Sequence, residues 1–244
     1  MTDCHDQAAF YEKLYLTKEF NCLMLNSDEA ARADAILRYI KQYVLPFFRG
    51  RDLTILDLGC GKGWLTNILS AYGKVLGADL SVTRAKELFP NLNFYSGTNS
   101  DLLSNGNFER FNLIVSTEVI EHIPDNKKKD FLCSIYSLLV PGGFAILTTP
   151  RVELYDAWQR VYPFKQPIES WISESELNRL SRSVGFNIVY RDRVFLPDRP
   201  YNWISHIAAS KFLQFLKSHF PHAKIFTKLR YHCGIYQIIL LQRV

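Results

Sequence analysis

Three side chains in one short stretch, Glu118, Glu121 and His122, are of the types that move protons or hold cations. Their spacing, i, i+3 and i+4, places them on one face if the segment is helical. An imidazole titrates near neutral pH, so His122 can serve as a general base toward an acceptor hydroxyl or amine. The trio can also hold a divalent metal. It can equally be structural, with Glu118 orienting its loop and His122 packing at a sheet edge. A second constellation lies upstream, in Ile55-Leu56-Asp57-Leu58-Gly59-Cys60-Gly61-Lys62-Gly63-Trp64-Leu65. Here a buried-strand pattern runs into alternating glycines and then into a helical pattern. Glycine reaches unusual φ values and lets a ligand approach the backbone closely. The spacing G-x-G-x-G is neither the dinucleotide form nor the Walker form. Asp57 disfavours an anionic pyrophosphate at this turn and suits a ligand bearing a cationic ammonium. Roughly 20 residues on, where an acid can accept both hydroxyls of a ribose, stands Asp79, in Ala78-Asp79-Leu80-Ser81.

The elements that must position these groups alternate. Residues 8–48 read as helix, with a start at Ser27-Asp28-Glu29 and closure at Pro46 and Gly50. Strand patterns follow at 53–58, 74–78, 92–95, 111–116, 144–149, 186–195 and 235–241. Between them lie helical patterns at 63–71, 82–89 (capped by Ser81), 127–139 and 173–184. Strands alternating with helices through short connections imply parallel strands covered by helices on both faces. Ligands then sit outside the carboxyl ends of the strands, where Asp57, Asp79 and Ser116-Thr117-Glu118 fall.

Taken together, ILDLGCGKGWL, the acid at Asp79, FNLIVSTEVIEHIP at 111–124 and the Pro141-Gly142-Gly143 turn resemble the class I S-adenosylmethionine-dependent methyltransferases. The closest likeness is to small-molecule enzymes of the ubiquinone-biosynthesis O-methyltransferase type, over residues 53–150 and more loosely to 195. The resemblance implies an α/β, Rossmann-like, doubly wound, mostly parallel seven-stranded sheet. It further implies an N-terminal helical lid over residues 1–50, a cofactor-binding half over 51–150 and an acceptor-side half over 151–244. A helical lid insertion at 198–232 would precede the last strand, all within a single methyltransferase domain.

The cofactor it implies is S-adenosyl-L-methionine, leaving as S-adenosyl-L-homocysteine. Its methionine part would lie on Asp57, Gly59, Cys60, Gly61, Gly63, Trp64 and Leu65, and its ribose on Asp79 and Leu80. Ser116, Thr117 and Glu118 would complete this set, with Tyr11 closing over the cofactor from the lid. The family usually reads the adenine amino group with an acid. Here that place holds Thr98 followed by Asn99, with Asp101 further on, and Asn112 stands where an acid is usual. The E-x-x-E-H string also resembles the metal-dependent small-RNA 2′-O-methyltransferases, but it is common in metal-free relatives, and no metal is expected. The catalytic assignment is His122 with Glu118.

Two segments lie outside the sheet pattern, 151–171 and 198–232, and both are aromatic. Tyr155, Trp158, Tyr162 and Trp203, with Tyr15 and His122, are the expected acceptor contacts. They predict a small acceptor of apolar or aromatic character, with oxygen favoured over nitrogen or carbon as the methylated atom. Candidate pathways are natural-product, quinone, glycan or lipid-intermediate biosynthesis. The non-enzymatic alternative is a cofactor-binding partner protein.

Composition agrees with a folded enzyme. The chain has 244 residues, 48% of them hydrophobic and 22% charged, with a formal net charge of +5. That balance excludes disorder and is too mild to mark a nucleic-acid binder. Lys211, Lys217, Lys224, Lys228 and Arg230 allow weak membrane-surface contact. Five scattered cysteines without a C-x-x-C pair fit a reducing compartment, and the polar start is not a secretory signal, so a cytoplasmic monomer or homodimer is expected.

Overall fold

The computed structural model describes residues 4–17, 25–49, 51–106, 109–161, 166–194 and 234–244, together with Ser210, Phe215 and His219. A seven-stranded sheet forms the centre, ordered β3-β2-β1-β4-β5-β7-β6. Its strands are β1 (Leu53–Leu58), β2 (Gly73–Asp79), β3 (Asn93–Ser96), β4 (Phe111–Thr117), β5 (Leu139–Pro150), β6 (Phe186–Val194) and β7 (Tyr236–Arg243). The first five pair in parallel, and β7 runs antiparallel between β5 and β6. The central strands are apolar on both sides, as parallel strands covered by helices on both faces must be.

The helices are α1 (Cys4–Tyr15), α2 (Ser27–Tyr39), the single turn α3 (Leu45–Phe47), α4 (Trp64–Leu69), α5 (Thr83–Leu88), α6 (Asn99–Asn105), α7 (Lys128–Leu138), α8 (Tyr155–Val161) and α9 (Glu174–Val184). One core layer joins Ile36, Tyr39 and Ile40 of α2 to Ile55, Leu113 and Leu240 of the sheet. The opposite layer packs Phe131, Leu132 and Ile135 of α7 and Leu177 of α9 on Leu56, Ile114 and Leu241. This doubly wound arrangement is the one the strand-helix alternation implies.

Several local expectations change. The helical stretch 8–48 divides into α1, α2 and α3, with α2 opening at the expected start, Ser27, where Asn26 forms a reciprocal cap: its side chain accepts from the Glu29 backbone, and the Glu29 carboxylate accepts from the Asn26 N–H. Ser81 does not cap α5. Val82 holds that position without a side-chain bond, and the Ser81 N–H instead donates to Asp79. Strand β5 begins at Leu139, before the Pro-Gly-Gly turn rather than after it, and its pairing with β4 shifts register there. Gly142 takes φ 77° at this irregularity, against the Phe47 ring. The expected insertion at 198–232 lies outside the described residues except for Ser210, Phe215 and His219.

Strand order reverses between β1 and β4, whose neighbours lie on opposite sides. Main chains diverge at such a point, which opens a crevice beyond the strand ends. Gly59, Asp79 and Glu118 all follow or end strands at this edge.

Candidate active site

A cavity of about 760 Å³ fills the crevice. Its floor is the turn after β1. Gly59, Gly61 and Gly63 have φ of 79°, 52° and 81°, a region where a side chain is strained. At Gly59 the reason is also steric, since an added Cβ would lie 2.1 Å from Val119 Cγ2 in the loop after β4. At Gly61 an added Cβ would come 3.3 Å from the Tyr15 hydroxyl, a close approach of the N-terminal helix to this turn.

Two acids flank this floor. Asp57 is fully buried. Its Oδ2 accepts from Thr66 at 2.6 Å, while its Oδ1 has no hydrogen-bond partner. Burial pushes its carboxyl up to about 7. Asp79 accepts from the Gly61 N–H at 2.9 Å on one oxygen and from the Ser81 N–H at 3.1 Å on the other. The Leu80 N–H also bonds this carboxylate, so three main-chain donors fix its position.

Glu118 sits in a left-handed conformation, φ 57°, unusual for a residue with a side chain. The expectation of a helical 118–122 face therefore fails. The chain makes only a 3-10 turn at Ile120–His122, and the backbone reversal at Glu118 brings the trio together instead. Glu118 is held by the Thr148 hydroxyl at 2.8 Å and by Arg32 Nη1 at 3.4 Å. Glu121 accepts from the Thr149 hydroxyl at 3.0 Å. Burial raises both carboxyls, and the charge of Glu121 raises Glu118 further. The two carboxyls titrate as a pair, and near neutral pH the pair is not fully ionised.

His122 Nδ1 lies 2.8 Å from the Ile168 carbonyl, which can only accept, so Nδ1 carries the proton and Nε2 presents a lone pair. Burial lowers the imidazole below its usual range and keeps it neutral near pH 7. Its ring meets that of Tyr11 edge-on at 6.1 Å, and the Tyr11 hydroxyl donates to Gln166 Oε1 at 3.0 Å.

A strap at 166–172 closes this side. The Ser170 N–H donates to the Glu121 carbonyl at 2.8 Å. Lys128 Nζ, on a side chain 2% exposed, donates to Asp125 at 2.7 Å and to the Ser170 carbonyl at 2.5 Å. Trp171 packs edge-on against Tyr155 at 5.1 Å.

Of the residues singled out from sequence, Tyr11, Tyr15, Asp57, Gly59, Cys60, Gly61, Trp64, Leu65, Asp79, Leu80, Thr98, Asn99, Thr117, Glu118, His122 and Trp158 line the cavity. Gly63, Ser116 and Tyr155 do not. Gly63 packs under Phe94 and Ala85, the Ser116 side chain is buried in the sheet, and Tyr155 stands behind Trp171. Tyr162 and Trp203 fall outside the described residues. The Thr98 and Asn99 side chains are committed to structure. Thr98 caps α6 reciprocally with Asp101, and Asn99 donates to the Phe131 carbonyl at 3.3 Å.

Sequence reasoning missed Arg32, Tyr236, Gln166 and Glu169, all of which line the cavity. Arg32 on α2 is 7% exposed and pairs with Asp28 Oδ2 at 3.2 Å as well as with Glu118. Its guanidinium also covers the Tyr236 ring at 4.8 Å, and the Tyr236 hydroxyl donates to Asp28 at 2.9 Å. An arginine on the apolar side of an amphipathic helix was the available signal. Among the described residues, no group of three His, Cys, Asp or Glu side chains converges as metal ligands, and no helix is long and apolar enough to cross a membrane.

Comparison with known proteins bears on this site. A ubiquinone biosynthesis O-methyltransferase of Cereibacter sphaeroides is 34% identical over 113 residues, 43% of each chain. One from Coxiella burnetii is 27% identical over 171 residues, 63% of this chain and 70% of that one. The chain therefore spans under half the length of the first relative. Among solved structures, the N-methyltransferase NodS of Bradyrhizobium japonicum, in complex with S-adenosyl-L-homocysteine, superposes with a TM-score of 0.65 at 14% identity, covering 97% of this chain and 98% of that one. The magnesium protoporphyrin IX methyltransferase of Synechocystis gives 0.61 at 13% identity, over 98% and 100%. These likenesses show a shared fold. The methyltransferase-domain family pattern matches residues 29–191, well over half the sequence and spanning β1 to β6, and the chain belongs to that family.

Proposed function

We propose that the protein is an S-adenosylmethionine-dependent methyltransferase acting on a small molecule with an apolar or aromatic body. The observation that carries this reading is the pair of acids beside a side-chain-free floor. Asp79, fixed at the cavity by the Gly61 and Ser81 N–H groups, fits ribose hydroxyls, and Asp57 sets an acid beneath the glycine floor that favours a cationic group above it. Gly59 and Gly61 would let the methionine part lie against the backbone. Adenine would be met by main chain around Thr98, since the neighbouring side chains are already engaged.

When bound, the cofactor supplies a sulfonium methyl that is electrophilic without further activation. The protein's own contribution is placement and proton removal. Holding a nucleophile in line can supply as much as ~7–11 kcal/mol of the acceleration. His122 Nε2 takes the proton of an acceptor O–H or N–H, with Nδ1 pinned to Ile168. Arg32 and Thr148 hold Glu118 between the two halves of the cavity. Tyr11 and Tyr15 cover the site from α1 and exclude water.

The expected setting is a single methyltransferase domain working in the cytoplasm, without nucleic acid, as a monomer or homodimer. Cys60 and Cys133, both free, suit a reducing compartment. Calorimetry with S-adenosyl-L-homocysteine on the wild type and Asp79→Ala tests the cofactor assignment. Micromolar binding that the substitution abolishes supports it, and no binding by the wild type overturns it.

A further inference from the structure

Seven carboxylates line the cavity against two long cationic side chains, Arg32 and Lys62. Both cations are already engaged, Arg32 between Asp28 and Glu118, and Lys62 at 4.0 Å from Glu29. Asp57, Asp79, Glu121 and Glu169 have no lysine or arginine within ion-pair distance among the described residues. Asp57 and Asp79 lie at the carboxyl ends of β1 and β2 and belong to the cofactor half. Glu121 and Glu169 do not. Glu121 lies 4.0 Å from His122 Nε2, Glu169 follows the Ile168 whose carbonyl holds the His122 ring, and Tyr11, Trp158 and Trp171 line the same cavity.

Resting on the methyltransferase reading, we propose that the acceptor is an amine that binds as its ammonium between Glu121, Glu169 and these aromatic rings, and that its nitrogen receives the methyl group. Carboxylates and aromatic faces together, in a partly desolvated pocket, are the side-chain chemistry that recognises an ammonium. The fixed positions of the groups suit the task. The Glu169 carboxylate is steadied by Gln159 Nε2 at 3.2 Å, and the strap that carries it is anchored by Lys128 and the Glu121 carbonyl. Trp171 is braced by Tyr155. A carboxylate or phosphate acceptor would meet these acids with no lysine or arginine of the described residues in ion-pair range of them, at a cost of uncompensated buried charge. A phenol would gain nothing from them. In this proposal the methylated atom is nitrogen.

The step balances simply. The bound ammonium gives one proton to His122 Nε2, which frees the nitrogen lone pair. That pair forms the N–C bond as the S–C bond breaks, and the S–C pair remains on sulfur as a thioether. The positive charge passes from sulfonium to the new alkylammonium, which Glu121 and Glu169 stabilise as it develops.

The test is calorimetry on the full chain saturated with S-adenosyl-L-homocysteine, titrated with matched sets: 2-phenylethylamine, 2-phenylethanol and 3-phenylpropanoate, and tryptamine, tryptophol and indole-3-propanoate. The amine of at least one set should bind tenfold or more tightly than its alcohol, with no binding by its acid. Glu169→Gln should weaken that amine about tenfold and leave S-adenosyl-L-homocysteine affinity within twofold, and Glu121→Gln should act in the same direction. Alcohols or acids binding as well as amines, no amine binding at all, or amine affinity indifferent to both substitutions each overturn the amine assignment while leaving the methyltransferase reading intact. Failure of S-adenosyl-L-homocysteine to bind the wild type overturns that reading, and this inference with it.

Discussion

Arg32 Nη1 lies 3.4 Å from Glu118 Oε1, tying the helix that precedes the sheet to the loop that leaves its fourth strand. Both side chains are largely buried, and Glu118 has the left-handed backbone that turns its carboxylate toward α2. The contact joins the covering helices to the reactive loop. Arg32→Met removes the cation and strands Asp28 and Glu118 in the interior. Breaking a buried pair by removing one partner costs about 3–5 kcal/mol. A urea midpoint that falls accordingly, with only partial recovery in Arg32→Lys, is the expected result. An unchanged midpoint would show that the pair is solvated.

Gly59→Ala places a methyl group where Val119 Cγ2 already sits, at a backbone angle that disfavours any side chain. The β1 turn and the loop after β4 cannot then both keep their positions. Affinity for S-adenosyl-L-homocysteine should fall at least tenfold, with a stability loss of about 1–3 kcal/mol from strain and overpacking. Gly106→Ala is the control, because an added Cβ there meets nothing within 4 Å, although φ 62° still imposes a backbone penalty.

His122→Asn keeps an N–H donor for the Ile168 carbonyl and deletes the basic nitrogen. Turnover should drop by about 10²–10⁴, the range for a general base. S-adenosyl-L-homocysteine affinity should stay within about threefold. If turnover survives at high pH as well as at neutral pH, the proton leaves by another route and His122 only holds the strap.

Asp57 gives a pH signature. Its carboxyl is raised from an ordinary value near 3.8 to about 7 by burial, so the folded state resists its ionisation. The stability this group contributes is full below pH ~4 and is lost as pH rises through about 7. Asp57→Asn keeps an acceptor for Thr66 and removes the titration. In the absence of cofactor, the variant should be more stable than wild type at pH 8 by up to about 4 kcal/mol, and the two should converge at pH 4. Urea unfolding at several pH values measures the difference. A parallel pH profile for both proteins would show that Asp57 ionises freely.

The parts of this protein readable in the sequence are those whose residues are neighbours along the chain. The glycine turn after β1, the acid ending β2 and the alternation of strands and helices are local patterns, and backbone sterics and strand periodicity make them interpretable without coordinates. The reactive loop was found from its residue types, but its geometry was not. A helical spacing suggested one shared face, whereas a left-handed Glu118 and a single 3-10 turn create the grouping. The acceptor side was the least legible. Arg32, Glu118, Thr148 and Tyr236 meet across more than 200 positions of sequence, and the Lys128–Ser170 contact joins a helix to a strap 42 residues away. No local pattern encodes such meetings. They arise because the sheet order sets β4, β5 and β7 side by side and α2 packs over them, so which charges face one another was decided only by tertiary packing.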